Sequence, residues 1–266
     1  MVLIHKRLIA LSVFIAIIGV GLIVAAFATD NWIHSTPRAN ETMRRNNSSG
    51  TASGFTANVT FGLFTGYKSI DFGIGPRSYN LIIKCQPNSG ACAYISIDKD
   101  STTDSLFSNI LQQFKNQSGQ PMEDFGLFCF SLYVATLVML VLAIVWGLVS
   151  IGFAVFNVFG RPIETVTGPS GLYLWNSLAM LFSLAAIGCY LALYLTQLKM
   201  NILTLQDQLT FTSKDQTFLD MSFYFVVGAA GAFFLNIFIL CLSGQKCSCD
   251  YYHSSEKEVD SGMILY

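Results

Sequence analysis

Asn157-Val158-Phe159-Gly160-Arg161-Pro162-Ile163-Glu164-Thr165-Val166-Thr167-Gly168-Pro169-Ser170-Gly171-Leu172-Tyr173-Leu174-Trp175-Asn176 is the stretch from which the rest of the chain can be placed. Arg161 and Glu164 are its charges. Two prolines and the glycines Gly160, Gly168 and Gly171 punctuate a helix end, a turn and a helix start. On each side runs an uncharged apolar segment long enough to cross a bilayer, which takes about 20 residues. A compact polar turn between two such segments is a membrane hairpin, assigned to residues 159–170.

Before the hairpin no charge interrupts Phe125 to Gly160. As one helix this run would be about 54 Å long, against a hydrocarbon core of about 30 Å. The span assigned to 125–158 must therefore tilt, break or project. Gly147, Ser150 and Gly152 give it a small-residue face, and Cys129 reads as a packed thiol. After the hairpin, residues 171–198 form a third run, in which Asn176, Ser177 and Ser183 suit hydrogen bonds to neighbouring helices. Leu195, Leu198, Ile202, Leu205 and Leu209 keep a 3-4 rhythm beyond it. That rhythm predicts that the helix continues to about residue 209, inside an outer segment 199–220 whose last part, Thr210 to Asp220, reverses the chain. The fourth run, 221–242, carries Gly228-Ala229-Ala230-Gly231-Ala232 and Asn236. The first run, 8–29, follows His5-Lys6-Arg7. Ala26-Phe27-Ala28 resembles a signal-peptide cleavage site, but signal peptides hold only about 7–15 apolar residues, so a retained span is the preferred reading. Gly21 and Ala25 are four apart, a spacing that admits a close helix.

The composition agrees with lipid as the solvent. Hydrophobic residues make up 53% of the chain and charged ones 12%, against roughly 25% charged in a soluble domain. A net charge of -1 excludes nucleic acid as the main partner.

Residues 30–124 form the one large segment outside the apolar runs. All five Asn-x-Ser/Thr acceptors of the chain, at Asn40, Asn46, Asn47, Asn58 and Asn116, fall in it. Their confinement predicts an extracellular, glycosylated loop. Lys6, Arg7, Arg161 and Lys246 then flank the inner ends of the spans, as the positive-inside tendency requires. The expected layout is a plasma-membrane, multi-pass chain with 1–7 and 243–266 in the cytoplasm. Within the loop, 55–75 and 79–97 are rich in β-branched and aromatic residues, and the alternation of Ala91 to Ile97 suits a strand with one buried face. Cys85 and Cys92 flank the Pro87-Asn88-Ser89-Gly90 turn. A hairpin there would bring them together, and an oxidising compartment favours their disulfide over two free thiols. Leu106, Phe107, Ile110, Leu111 and Phe114 recur at helical spacing after Asp104, a plausible N-cap.

Trp32, Gly62-Leu63-Phe64, Cys85 and Cys92 resemble the Trp, Gly-Leu-Trp, Cys, Cys arrangement of claudins, with Phe64 in place of the second tryptophan and a longer distance from Gly62 to Cys85. A closer similarity is to the clarin family. It rests on Phe61-Gly62-Leu63-Phe64-Thr65-Gly66, on Gly73-Ile74-Gly75-Pro76-Arg77, and on the hairpin with Gly160, Pro162, Gly168, Pro169, Gly171, Tyr173, Trp175 and Asn176. Ile264-Leu265-Tyr266 resembles the family's terminus. Where clarins often have a cysteine soon after Gly-Leu-Phe, this chain has Phe72. The resemblance implies a four-pass, non-enzymatic membrane protein that organises membrane and actin-linked structures in sensory cells, including hair bundles and synapses.

No constellation for catalysis or cofactor binding stands out. His5, His34 and His253 are scattered, and Glu123-Asp124 read as helix-end charges. Cys247-Ser248-Cys249 with His253 is an incomplete zinc set. S-acylation of Cys247 and Cys249 beside the membrane fits better, with plain reduced thiols as the alternative. Ile264, Leu265 and Tyr266 can be read as a carboxylate-terminated ligand for a cytoplasmic scaffold domain, or as a frayed tail. With no Asp, Glu, Lys, Arg or His in any span, a coupled transporter is disfavoured. A passive pore, or an auxiliary subunit of a channel or transport complex, is the alternative to a scaffold. The expected fold is mainly α: a four-span bundle with a small extracellular sheet and helix in the first loop. Its expected partners are the lipid bilayer and other membrane proteins that meet its small-residue helix faces; no small-molecule substrate is expected.

Overall fold

The computed structural model describes residues 2–40, 55–97, 103–117, 119–159 and 169–242. Gly160, Pro162 and Gly168 of the hairpin, Asn46 and Asn47, and the tail with Cys247, Cys249 and Ile264 to Tyr266 lie outside the described residues. In chain order the elements are helix α1 (Val2–Ala28), strands β1 (Ile33–Ser35), β2 (Arg38–Ala39), β3 (Phe55–Phe61), β4 (Thr65–Phe72), β5 (Pro76–Gln86) and β6 (Ala91–Ser96), and helix α2 (Thr103–Asn116). There follow β7 (Leu127–Cys129), α3 (Phe130–Phe159), α4 (Pro169–Leu193), the short α5 (Leu205–Gln208), β8 (Phe211–Thr212), β9 (Thr217–Leu219) and α6 (Met221–Leu242).

Among the described residues four helices are long and apolar enough to cross a membrane: Arg7–Ala28, Phe130–Phe159, Gly171–Leu198 and Met221–Leu242. The chain is a multi-pass membrane protein. Helix α3 buries Tyr133, Thr136, Leu140, Ala143, Gly147, Ser150, Ala154 and Asn157, an unbroken 3-4 rhythm that keeps one seam against its neighbours, as in left-handed helix packing. Val138, Val141, Val145 and Leu148 lie on the opposite, exposed side, where lipid is their solvent. Gly147 belongs to the seam because a Cβ there would sit 2.6 Å from Val20.

Other small residues do not all face inward. Gly21, Gly152, Gly228 and Gly231 are exposed, while Ala229 and Ala230 are buried. Helix α1 meets the bundle through Gly19, where a Cβ would lie 3.1 Å from the Phe233 ring.

Above the bundle lies a seven-stranded antiparallel sheet in the order β7-β6-β5-β4-β3-β1-β9. It takes strands from both ends of the first loop and from the loop between α4 and α6. The segment 210–220 therefore does more than reverse the chain: Thr217–Leu219 pairs with β1 and forms one edge of the sheet, and Phe211–Thr212 pairs with β2.

Three expectations need correction. First, the span assigned to 125–158 does not start at Phe125: of the alternatives open to the uncharged run, the chain takes the break. Gly126 takes a left-handed φ of 69°, Leu127–Cys129 pairs with β6, and the helix begins at Phe130. Gly126 is compulsory, since a Cβ would meet the Leu203 carbonyl oxygen at 2.5 Å. Second, the third span does not continue as a helix to about residue 209. Helix α4 ends at Leu193 and loosens into a π turn, Tyr194–Leu198. Asn201 then diverts the backbone: its Oδ1 accepts from Leu203 N at 3.0 Å and its Nδ2 donates to the Glu123 carbonyl at 2.7 Å. Such local side-chain bonds compete with the helical ladder. The 3-4 stripe dissolves accordingly, with Ile202 buried but Leu195 and Leu209 exposed. Third, β6 is buried on both faces. Cys92 and Tyr94 join the core shared with the bundle, while Ala91, Ala93 and Ile95 pack under α2 with Phe107 and Leu111. Asp104 lies in the first turn of α2 and pairs with Lys84 of β5 at 2.9 Å, which holds the helix against the sheet.

Candidate functional site

The motif residues of the first loop converge where the sheet meets the bundle. Trp32, four residues past α1, is 1% exposed. Its indole Nε1 donates to the Ala26 carbonyl at 2.7 Å, one of those left open at the end of α1. Its ring meets Tyr190 of α4 edge-on, centroids 4.6 Å apart, and Phe223 of α6 at 6.4 Å. One side chain thus joins the first loop to three of the four spans.

The turn Gly62-Leu63-Phe64 docks beside it. A Cβ on Gly62 would lie 2.7 Å from Asp30 Cα, and one on Gly66 would lie 2.8 Å from the Thr60 carbonyl oxygen. The glycines are there because the chain passes too close for a side chain. Thr65 Oγ1 donates to Asp30 Oδ1 at 2.6 Å. The Tyr94 hydroxyl donates to the Gly62 carbonyl at 2.9 Å, and the Tyr133 hydroxyl to the Leu63 carbonyl at 2.7 Å. Leu63 is buried, and Phe64 reaches outward to stack with Phe27 at the end of α1. Burial pushes the Tyr94 hydroxyl well above the ordinary phenol range, with Tyr133 and Asp30 adding to the effect. It is a fixed donor at any ordinary pH.

A second set of contacts locks together the two loops that carry the sheet. Lys68 of β4 meets Asp207 of α5 at 2.7 Å, with side chains 10% and 13% exposed. Thr204 Oγ1 donates to the same carboxylate at 2.9 Å. Gln197 Oε1, in the π turn, accepts from Cys129 N at 2.7 Å and so occupies a donor of the β7 edge. The Tyr194 hydroxyl donates to the Thr217 carbonyl at 2.7 Å, which ties α4 to the β9 edge.

Cys85 and Cys92 are directly opposed on β5 and β6 and form a disulfide. Cys129 is a free, half-buried thiol. Asn58 is exposed on the outer face of β3, Asn116 is exposed at the end of α2, and the Asn40 Nδ2 donates to the Gln208 carbonyl at 2.8 Å. His34 lies within β1 between Thr60 and Phe218. Among the described residues no group of three or more His, Cys, Asp or Glu could hold a metal.

The hairpin residues are not gathered into this junction. Pro169 opens α4, a favoured place for proline. Gly171 is buried and Tyr173 packs beside Ala154, Leu172 and Leu240. The Trp175 ring stacks between Trp146, at 5.2 Å, and Phe153, at 5.8 Å. Asn176 is wholly buried; it donates to the Leu172 carbonyl and accepts from Asn236 Nδ2 at 2.7 Å.

Sequence reading did not single out Asp30, Lys68, Asp207, Gln197 or Tyr133. One signal was available, since Lys68 falls on the same face of its strand as Gly66 and Ile70, the buried face. The others owe their roles to neighbours at least 35 residues away in sequence.

Four spans carrying one sheet built from two loops define a tetraspan membrane protein. Residues 128–240 match a family profile described as Clarin-2-like. The chain is 27% identical to rat (Rattus norvegicus) Clarin-3 over 179 residues, 67% of this chain and 60% of that protein. It is 34% identical to mouse (Mus musculus) Clarin-2 over 97 residues, 36% of this chain and 41% of that one. The matched regions thus span less than two thirds of either relative. Over these regions the chain is similar to clarins.

Proposed function

We propose that this chain is a clarin and acts as a non-enzymatic scaffold that organises membrane and actin-linked structures, the role its family resemblance implies for hair bundles and synapses of sensory cells. The observation that carries the reading is the continuous hydrophobic core from Val59, Phe61 and Tyr94 of the sheet, through Trp32 and Tyr190, to Phe223, Val226 and Phe233 of the bundle. A platform fused in this way to its spans transmits a contact on one side of the membrane to helices that reach the other. A hinged domain would not.

In this reading the sheet and its glycans face outward at the plasma membrane, supported by the confinement of acceptors to one loop and by the basic residues beside the opposite helix ends. The outward glycines Gly228 and Gly231 offer close approach to helices of other membrane proteins, and residues 264–266 offer a cytoplasmic scaffold its ligand. Purified protein in liposomes tests the scaffold against the pore: the expected result is no ion-selective flux, and selective flux by the protein alone overturns the scaffold. Proximity labelling in native cells, with and without residues 263–266, is expected to recover cytoskeletal adaptors only with the intact tail.

A further inference from the structure

Helix α2 and the short α5 leave a cleft of ≈ 190 Å³ between them, floored by the end of β6. Ile95, Ile110 and Leu205 line its apolar part, and Asn109, Gln113 and Gln206 its polar part; among the described residues none that lines it carries a charge. An ionised ligand would lose its hydration there without gaining a counter-charge. A neutral ligand with both methyl and hydroxyl or amide groups would meet a partner for each.

Asn109, Gln113 and Asn116 are spaced by four and three residues, so they share one face of α2. Asn116, in the acceptor triplet Asn116-Gln117-Ser118, is exposed and stands about 4.5 Å along the axis from Gln113. Helical side chains lean toward the N-terminus, which aims Asn116 back along that face toward the cleft. The other described acceptors lack this geometry. Asn58 stands on the open face of a strand opposite Ser69, and the Asn40 amide nitrogen is engaged by Gln208.

We infer that the cleft is an intramolecular sugar site that seats the first N-acetylglucosamine of a glycan on Asn116. The acetyl methyl would meet Ile110 and Leu205, and the sugar hydroxyls and amide would meet Asn109, Gln113 and Gln206. The inference rests on the outward, glycosylated orientation proposed above. Seated there, the sugar bridges α2 of the first loop and α5 of the second and adds to the Lys68–Asp207 clasp.

The test uses full-length protein from a secretory-pathway host, folded in detergent micelles and treated with an amidase that releases N-glycans. Release at each site is followed by mass spectrometry of peptides labelled with heavy oxygen. Two or three hydrogen bonds plus apolar contact predict release at Asn116 slower than at Asn58 by about tenfold or more, with the difference abolished by denaturation. Asn109→Ala with Gln113→Ala, both at the surface, should bring the Asn116 rate up to that of Asn58 and leave Asn58 unchanged, which also reports that the fold is intact. Equal rates in the native wild type, or slow release indifferent to the double substitution, would overturn the sugar site alone. An unoccupied Asn116 in the same spectra would overturn it through its premise, and occupancy of none of the acceptors would overturn the orientation as well.

Discussion

The two halves of the bundle treat their buried polar groups in opposite ways. Next to the sheet, Trp32 Nε1 and the hydroxyls of Tyr94, Tyr133 and Tyr194 each donate to a backbone carbonyl at 2.7–2.9 Å. Tyr190 is the exception, with a buried hydroxyl that has no hydrogen-bond partner among the described residues. In the half farther from the sheet, Ser12 Oγ, Trp146 Nε1, Ser150 Oγ, Trp175 Nε1 and Asn236 Oδ1 are likewise buried without a partner. A buried polar atom left unmatched costs about 1–3 kcal/mol. The junction with the sheet is therefore where most of the specificity is built, and the far half is held by ring stacking, close helix approach and the buried Asn236–Asn176 hydrogen bond.

The largest effect should come from removing the junction's central ring. Trp32→Ala is expected to cost about 3–5 kcal/mol, since it empties the space between α1, α4 and α6. Thermal unfolding in detergent should show a drop that Trp175→Phe, in the far half, does not approach. Gly62→Ala should behave like Trp32→Ala, because its Cβ would meet Asp30 backbone rather than a side chain that can move. Equal sensitivity of both halves would erase the contrast.

Next in size stands the Lys68–Asp207 pair. Removing either partner strands a buried charge and should cost about 3–5 kcal/mol, whereas Lys68→Met with Asp207→Leu should cost less than either single change. A denaturant double-mutant cycle measures the coupling, and additive losses would mean that the pair does not act as a clasp.

Smaller, and dependent on pH, is the contribution of Tyr94. Burial raises the pKa of its hydroxyl well above the ordinary phenol range on folding. The stability it confers is complete below the unfolded pKa and is lost as pH rises toward and through the folded one. Tyr94→Phe should flatten the fall in stability above about pH 10, while costing about 1 kcal/mol at neutral pH for the lost hydrogen bond.

The smallest effect is expected in the far half. Ser150→Ala removes a polar atom that bonds to nothing among the described residues and should lie within about 0.5 kcal/mol of neutral or stabilise, while Trp175→Phe, which also trims a stacked ring, should cost no more than about 1.5 kcal/mol. A loss of 2 kcal/mol or so from either would show a partner for these groups and narrow the difference between the halves.

How much of this was legible beforehand differs by element. The spans were plain, because a bilayer demands long uncharged runs and little else has them. The Cys85–Cys92 bridge was legible from its hairpin, because the pairing is local. The extension to residue 209 misled because its apolar rhythm was real but Asn201 rerouted the backbone. The Gly62-Leu63-Phe64 turn was noticed as a motif without its reason, since Asp30, Tyr94 and Tyr133 meet it only in three dimensions.

By itself the amino-acid sequence determined the solvent of each segment, the number of spans and the local hairpins, because hydrophobic run length and turn chemistry act within a few tens of residues. Only the tertiary structure decided that the loop after the first span and the loop before the fourth share one sheet, that Trp32 joins three spans, and that Lys68 meets Asp207. Those contacts depend on the relative placement of helices, and packing sets that placement through surfaces assembled from residues far apart in the chain.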